Sequence, residues 1–390
     1  MTQAQKPPFL LLFLLISFGS ITAVAFTPAL PEMSLFFGVS VKEMSLTMTI
    51  FLIGYACGQL LYGPLANRFG RKKALLMGVG LEIVASLLCV LSAPLHAFWL
   101  LVLARLLMAL GASVGLKMSF TLVADTHTEA ESRRTIAYLM TAFAVTPPLG
   151  IAIGGFLLEH FTWISTFYFM AIYGVLLFAL VLRMSETAQS LDLQALQPHK
   201  IIAKYAATLK SYQLPAASAL VGVGTAFVYV FATLAPFLGI DKMGLSPADY
   251  GLWCLLPSIG IILSSQVSAY LSSRLSAMKT ILIGLSVMGV AVLSMLLGFL
   301  NGYVNPHFLF IPQLFIYSGM GLVFANASNI ATSGFADRAS AAAMLSFINM
   351  SVAMLSVLAV GFAHTTSTLF LPIVYCMLWG LGLLLMFILN

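Results

Sequence analysis

The sequence predicts an all-α integral membrane protein of twelve spans, arranged as two related six-helix bundles. Three observations carry this. The 390 residues are 61% apolar and 8% charged, with a mean hydropathy of +1.04, whereas a soluble domain needs about a quarter of its residues charged to coat its surface. The apolar residues also gather into runs near the ~20 residues that cross a bilayer core about 30 Å thick. Finally, a short basic turn wedged between two such runs, Gly63-Pro64-Leu65-Ala66-Asn67-Arg68-Phe69-Gly70-Arg71-Lys72-Lys73, returns faintly in the second half. Aligning Gly54–Lys73 with Gly260–Lys279 (260 − 54 = 206) brings Leu65/Leu271, Arg68/Arg274, Lys73/Lys279, Leu76/Leu282 and Gly78/Gly284 into register. A repeat half a chain long implies two bundles rather than one decorated domain.

In order, the expected spans are 9–30, 44–66, 73–93, 97–121, 135–157 and 163–183, then 213–238, 250–272, 278–300, 307–332, 340–362 and 368–389. The polar stretch between the halves, with its Lys residues and Pro198, reads as a linker. The domains are therefore 1–184, a linker at 185–211, and 212–390. Lys6 before the first run imitates a secretory leader, but the run continues to about Leu30 without a small-residue cleavage site, so a retained first span is expected.

Charge placement tests the count. With the N-terminus cytoplasmic, that side holds Lys6, Arg68, Arg71, Lys72, Lys73, Arg133, Arg134, Arg183, Lys200, Lys204, Lys210, Arg274, Lys279 and Arg338. The other side holds only Lys42 and Lys242. This bias obeys the positive-inside rule and would be scrambled by an odd span count in either half. It places the chain in a bacterial cytoplasmic membrane with both termini inside. It also explains the net charge of +6 without nucleic acid.

Cys57, Cys89, Cys254 and Cys376 fall within apolar runs without paired spacing, and the histidines (96, 127, 160, 199, 307, 364) sit mostly at span ends. Neither a disulfide nor a metal site is expected. No nucleophile elbow is present, and Gly222-Val223-Gly224-Thr225 lacks the lysine of a phosphate loop. The chain is expected to be no enzyme, to need no cofactor and not to be driven by ATP.

At this point the residues resemble the major facilitator superfamily, and within it the bicyclomycin/chloramphenicol-resistance type of drug–proton antiporter. The turn Gly63–Lys73 looks like the superfamily signature after span two, and Arg105 within Ala104–Ala112 like its span-four motif. Pro147-Pro148-Leu149-Gly150 with Gly154-Gly155 is similar to the span-five antiporter motif, and Thr27-Pro28-Ala29-Leu30-Pro31 to the subfamily's Leu-Pro-Ala-Leu-Pro. Gly244–Pro247 and Gly321–Ala327 resemble second-half landmarks. The resemblance implies alternating access around a midplane cavity, with proton-linked export of small amphipathic compounds. The alternatives are a dedicated carrier, inward or outward, of a polar or anionic metabolite or metal-chelating siderophore, and a non-transporting sensor or scaffold. The expected partners are a small-molecule substrate, protons and the lipid bilayer, with the chain acting as a monomer. Two positions depart from the family pattern: Asn67 stands where the turn normally has an acid, and Val24 where span one normally has an aspartate.

Charges inside spans suggest function by default. Glu82 and Lys117 are expected at equal depth on adjacent antiparallel helices, forming either a proton-handling group or a fixed structural pair. Arg105 reads as binding anions or tuning a carboxylate, or else as bracing backbone carbonyls. If it stands unpaired, anionic or zwitterionic cargo is favoured over lipophilic cations. Glu32 reads as a displaced proton acceptor or a solvated turn residue after a helix ended by Pro31. Neutral candidates for the cavity wall include Thr22, Thr27, Tyr55, Gln59, Tyr138, Thr141, Tyr229, Thr233, Gln266, Asn326, Asn329 and Asn349, with Phe26, Phe227, Phe231, Phe324, Met118 and Met140 as apolar wall. Gly63, Asn67, Arg68, Gly70 and Arg71 are expected to control conformational exchange, and Pro147, Pro148, Gly150 and Gly154, with Gly155, to bend span five and pack it against the opposite half.

Overall fold

The computed structural model describes residues 6–188, 190–197, 199, 205–209, 211–272, 274–335, 338–362 and 367–389. Among them the regular structure is helical. The first span is α1 (Phe9–Val24), a 3-10 turn (Thr27–Ala29) and α2 (Leu30–Phe37). Next come α3 (Val41–Phe69), α4 (Arg71–Ser92), the broken pair α5 (Phe98–Ala112) and α6 (Val114–Thr126), α7 (Glu129–His160) and α8 (Ile164–Arg183). The second half holds α9 (Gln213–Pro236) with a π-type turn (Phe237–Lys242), α10 (Pro247–Trp253) and α11 (Leu255–Ser272). It ends with α12 (Ala277–Leu300), α13 (Pro306–Thr332), α14 (Arg338–Phe362) and α15 (Phe370–Leu389). Eleven helical stretches among the described residues are long and apolar enough to cross a membrane. With α7, of 32 residues, they correspond to the twelve expected runs.

Local chemistry sets several helix starts. Ser40 with Glu43 and Thr128 with Glu131 form reciprocal caps at α3 and α7, each satisfying two backbone donors that a helix start leaves bare. Ser246, Ser276 and Asn305 cap α10, α12 and α13 through the N–H three residues on. The first span departs from expectation. Pro31 lies in the first turn of α2 rather than ending a helix. The interruption comes earlier because Pro28 has no N–H to offer the Val24 carbonyl. That carbonyl instead accepts from the Thr27 hydroxyl at 2.8 Å.

The repeat survives in three dimensions. Gly54 packs against the Leu106 carbonyl and Gly260 against the Leu314 carbonyl, while Gly78 approaches Gly111 and Gly284 approaches Gly319. One contact is kept with its partners exchanged: Gly58 of α3 lies under Ser113, whereas Ser264 of α11 lies over Gly321. Each crossing needs one residue without a side chain, and either helix can provide it. Close helix approach through small residues is how spans associate where lipid supplies no hydrophobic drive. Exposed Trp99, Val290, Met377 and Phe387 point outward from the bundles, as lipid-facing positions do.

Helix alternation puts the Gly63–Lys73 turn, the linker and the turn after α11 on one face, called the basic face. The turns after α2, α4, α7, the π-type turn and α12 lie on the opposite face. The largest apolar core joins both halves, from Val24 and Phe51 to Phe231 and Tyr250. Toward the basic face, the described cores are separate for each half: one from Leu11 to Met184, and two small ones including Leu214, Ala217 and Met344. The bundles are therefore welded on the opposite face.

Candidate transport site

Arg105 is fully buried on α5. Its guanidinium lies between two rings, 4.0 Å from the centroid of Phe26 and 4.3 Å from that of Phe51. It donates through Nη1 to the Thr22 carbonyl at 2.9 Å and through Nη2 to the Ala23 carbonyl at 3.2 Å. Those carbonyls end α1, where the chain leaves the helical hydrogen-bond pattern, and a helix terminus leaves its last carbonyls without intrahelical partners. A cation there also answers the negative end of the helix dipole. Of the two sequence readings, the geometry is that of the brace. Arg105 lies within electrostatic reach of Glu82, Cys89 and Tyr229, so it is not the isolated positive charge that favoured anionic cargo.

Glu82 is buried on α4, with Oε1 accepting from Ser86 at 2.8 Å and Oε2 without a hydrogen-bond partner. The expected pair with Lys117 is not formed. Gly111 packs directly on the backbone of Glu82, and Gly78 on Val114. Lys117, six residues beyond Gly111, therefore lies ~9 Å nearer the basic face at 1.5 Å per residue. Its side chain runs past Gly63 instead. The depth count failed because it referred each residue to a nearby charge rather than to the helix contacts. Glu82 instead faces α8, where any side chain on Gly174 would strike its carboxylate.

Gln59 and Tyr55 share the buried face of α3. Gln59 donates to the Ser113 carbonyl at 3.4 Å, the point where α5 breaks to α6, so Gln59 and Arg105 each hold a discontinuity in a neighbouring span. Tyr55 stacks on Phe51 at 6.1 Å and covers Gly19. Tyr229 reaches this group from the second half, within electrostatic range of both Tyr55 and Arg105. Asn326 is held inside its own half by bonding to Ser268 and the Leu322 carbonyl. Asn349 is buried with Oδ1 unpartnered. Tyr138 does not join them: it is 54% exposed, near Phe9 and Arg134. Glu32, Gln266 and Asn329 are exposed, and the side chains of Met140 and Thr141 lie outside the described residues.

The basic turn is a hydrogen-bonded unit. Arg71 Nε pairs with Asp125 at 2.9 Å, and its Nη1 donates to the Ala66 carbonyl and to Asn67 Oδ1. Arg68 leans over the Phe69 ring. Gly70 takes φ 94°, which an L-residue rarely adopts. Where Asn67 lacks the family's acid, a carboxylate arrives from the linker: Glu186 accepts from the N–H of Arg71 at 2.8 Å and of Lys72 at 3.1 Å. Asp192 N–H then donates to the Asn67 carbonyl. Glu186 was not among the expected residues, since nothing local in a polar linker marks which acid folds back. Glu186→Ala is expected to lower turnover roughly tenfold, the size of one charge-assisted hydrogen bond at the low end of its range, with substrate affinity unchanged. A loss of affinity at normal turnover contradicts this.

Span five corrects another expectation. Pro147 and Pro148 lie inside one continuous helix. Gly150 and Gly154 pack not on the opposite half but on their own first span, against Ile21, Val24 and the Ala25 carbonyl. Only Gly155 crosses, meeting the Pro247 carbonyl of α10, while Gly251 meets Ile151 and Ala152 in return.

Twelve helical spans in two repeat-related bundles, closed along one face around buried Arg105 and Tyr55, define a polytopic membrane carrier rather than an enzyme. The chain belongs to the Major Facilitator Superfamily, whose family model matches residues 10–357. It is 28% identical to an uncharacterized transporter of Rickettsia felis over 70% of this chain and 66% of that protein. It is 27% identical to the chloramphenicol resistance protein CraA of Acinetobacter baumannii, covering 76% and 71% of the two chains. With the multidrug resistance protein MdtL of Shewanella oneidensis it shares 25% identity over 85% and 84%. The crystal structure of a D-xylose-proton symporter superposes with a TM-score of 0.80 over 98% of this chain and 96% of that one, at 14% identity, which shows the shared fold.

Proposed function

We propose that the protein exports small, neutral or weakly charged amphipathic compounds from the bacterial cytoplasm in exchange for protons. The observation that supports this most is the make-up of the region where the halves meet. Aromatic Phe26 and Phe51 flank a buried cation, Arg105, with Tyr55 and Tyr229 beside this group; its guanidinium is met by span-one carbonyls and lies within electrostatic reach of Glu82. Such a wall favours apolar bodies with a few hydrogen-bonding groups over strongly charged cargo. Relatives named for chloramphenicol and multidrug resistance fit the same class. With the basic face toward the cytoplasm, the welded opposite face is the outer gate in its closed state. Proton coupling runs through Glu82, the buried acid of the first half, in place of the aspartate that Val24 replaces.

Proteoliposomes under an imposed pH gradient test this. Uncharged chloramphenicol is expected to accumulate on the acidic side, and to lose its gradient with a protonophore. Glu82→Gln is expected to abolish gradient-driven accumulation while leaving downhill exchange. Accumulation of organic-acid chelates without chloramphenicol would overturn the cargo class, and full accumulation in Glu82→Gln the coupling route.

A further inference from the structure

The two halves touch on the face opposite the basic turn through close backbone contacts, which are silent to pH, and, among the described residues, through the carboxylate of Glu159. Glu159, one turn beyond Gly155 on α7, closes the series Gly155–Pro247 and Gly251–Ala152. Its Oε2 accepts from Ala248 N–H of the second half at 2.8 Å. It sits at the last turn of α7, exposed, and serves neither the Arg105 group nor the basic turn.

We infer that Glu159 is the titratable latch of this gate: as a carboxylate it holds α7 to the Ala248 segment, and protonation from the opposite face releases it. The reason is chemical. An ionised acceptor makes a bond roughly twice as strong as a neutral one, and a protonated carboxyl loses that assistance. The charged and titratable groups around it are His160 on its own helix and Asp249 beside Ala248. The Ala248 N–H, then the Ser246 hydroxyl, hold the Glu159 carboxyl below the usual carboxylate range, desolvation opposing them and His160 assisting weakly. The sign follows. A group whose pKa is depressed in the closed state stabilises that state above its unperturbed pKa, and this is lost as pH falls through the depressed value. Acid on that face therefore opens the gate. A further contact across the same face is Lys42 over the Phe362 ring at 4.8 Å.

The test needs no cargo, so it stands or falls apart from the proposed export. Spin labels at Leu35→Cys and Tyr303→Cys, both exposed on the opposite face of different halves, are placed on the full chain in nanodiscs with Cys57, Cys89, Cys254 and Cys376 changed to alanine. Double electron–electron resonance is read at pH 8 and pH 4. Acidification is expected to raise the open-to-closed ratio. Glu159→Gln is expected to raise it roughly fivefold already at pH 8, the size of one net hydrogen bond, and to remove most of the pH response. His160→Ala is expected to retain that response. Equal distributions in Glu159→Gln and the unaltered residue at pH 8 overturn the latch. A pH response that survives Glu159→Gln but vanishes in His160→Ala overturns the assignment of the titrating group.

Discussion

Arg105→Leu is expected to lower the unfolding free energy by about 3–5 kcal/mol, the range for removing one member of a buried charge system. Two carbonyls at the break of the first span lose their donors, two aromatic faces lose the cation between them, and buried Glu82 loses a cation within electrostatic reach. Arg105→Lys keeps the charge but has a single ammonium where a planar fork now meets adjacent carbonyls, so it is expected to fall between. Adding Glu82→Leu to Arg105→Leu is expected to recover part of the loss, because the stranded acid is gone. Denaturant unfolding in detergent reads all three. A change within ~0.5 kcal/mol for Arg105→Leu, the size of an ordinary surface substitution, would show that the brace carries no stability.

The second large effect separates two adjacent glycines. Gly155→Ala drives a methyl group into the Pro247 carbonyl of the other half, and Gly154→Ala drives one into the Ala25 carbonyl of its own half. Overpacking costs about 1–3 kcal/mol. For Gly155 the strain exists only while the opposite face is closed, so it shifts the open-to-closed ratio by roughly 5- to 150-fold and leaves unfolding little changed. For Gly154 it persists in every state, since the first and fifth spans move together. The expected result there is a lower melting temperature with an unaltered ratio. The spin-label pair and a thermal scan distinguish the two. Identical behaviour of the two variants would mean that the bundles do not separate at α7 and α10.

The proline–glycine motif of span five shows how far a sequence pattern reaches. Its residues announced close helix packing, and close packing is there. Which surface each glycine meets was misassigned, because adjacent positions on a helix differ by about 100° in direction, so Gly154 and Gly155 face different partners. The same holds for Glu82 and Lys117. Both were recognisable as charges inside spans, but their depths depend on how α4 slides along α5 and α6, which the Gly78–Val114 and Gly111–Glu82 contacts set. Glu186 was hidden for a third reason: its partners at Arg71 and Lys72 are more than a hundred residues away, and the linker carries no periodicity to place it.

What the sequence by itself determined was the number of spans, their repeat, the basic face and the family. Each of these is a property of single residues or short runs: partition between water and lipid sums along a segment, cations gather at one membrane face, and small residues mark helix crossings. Only the tertiary structure decided that Arg105 braces the first span, that Glu186 stands in at the turn beside Asn67, and that Glu159 bridges the halves. Those roles depend on helix rotation and axial register, in which a shift of one residue changes every partner while leaving composition, hydropathy and charge balance untouched.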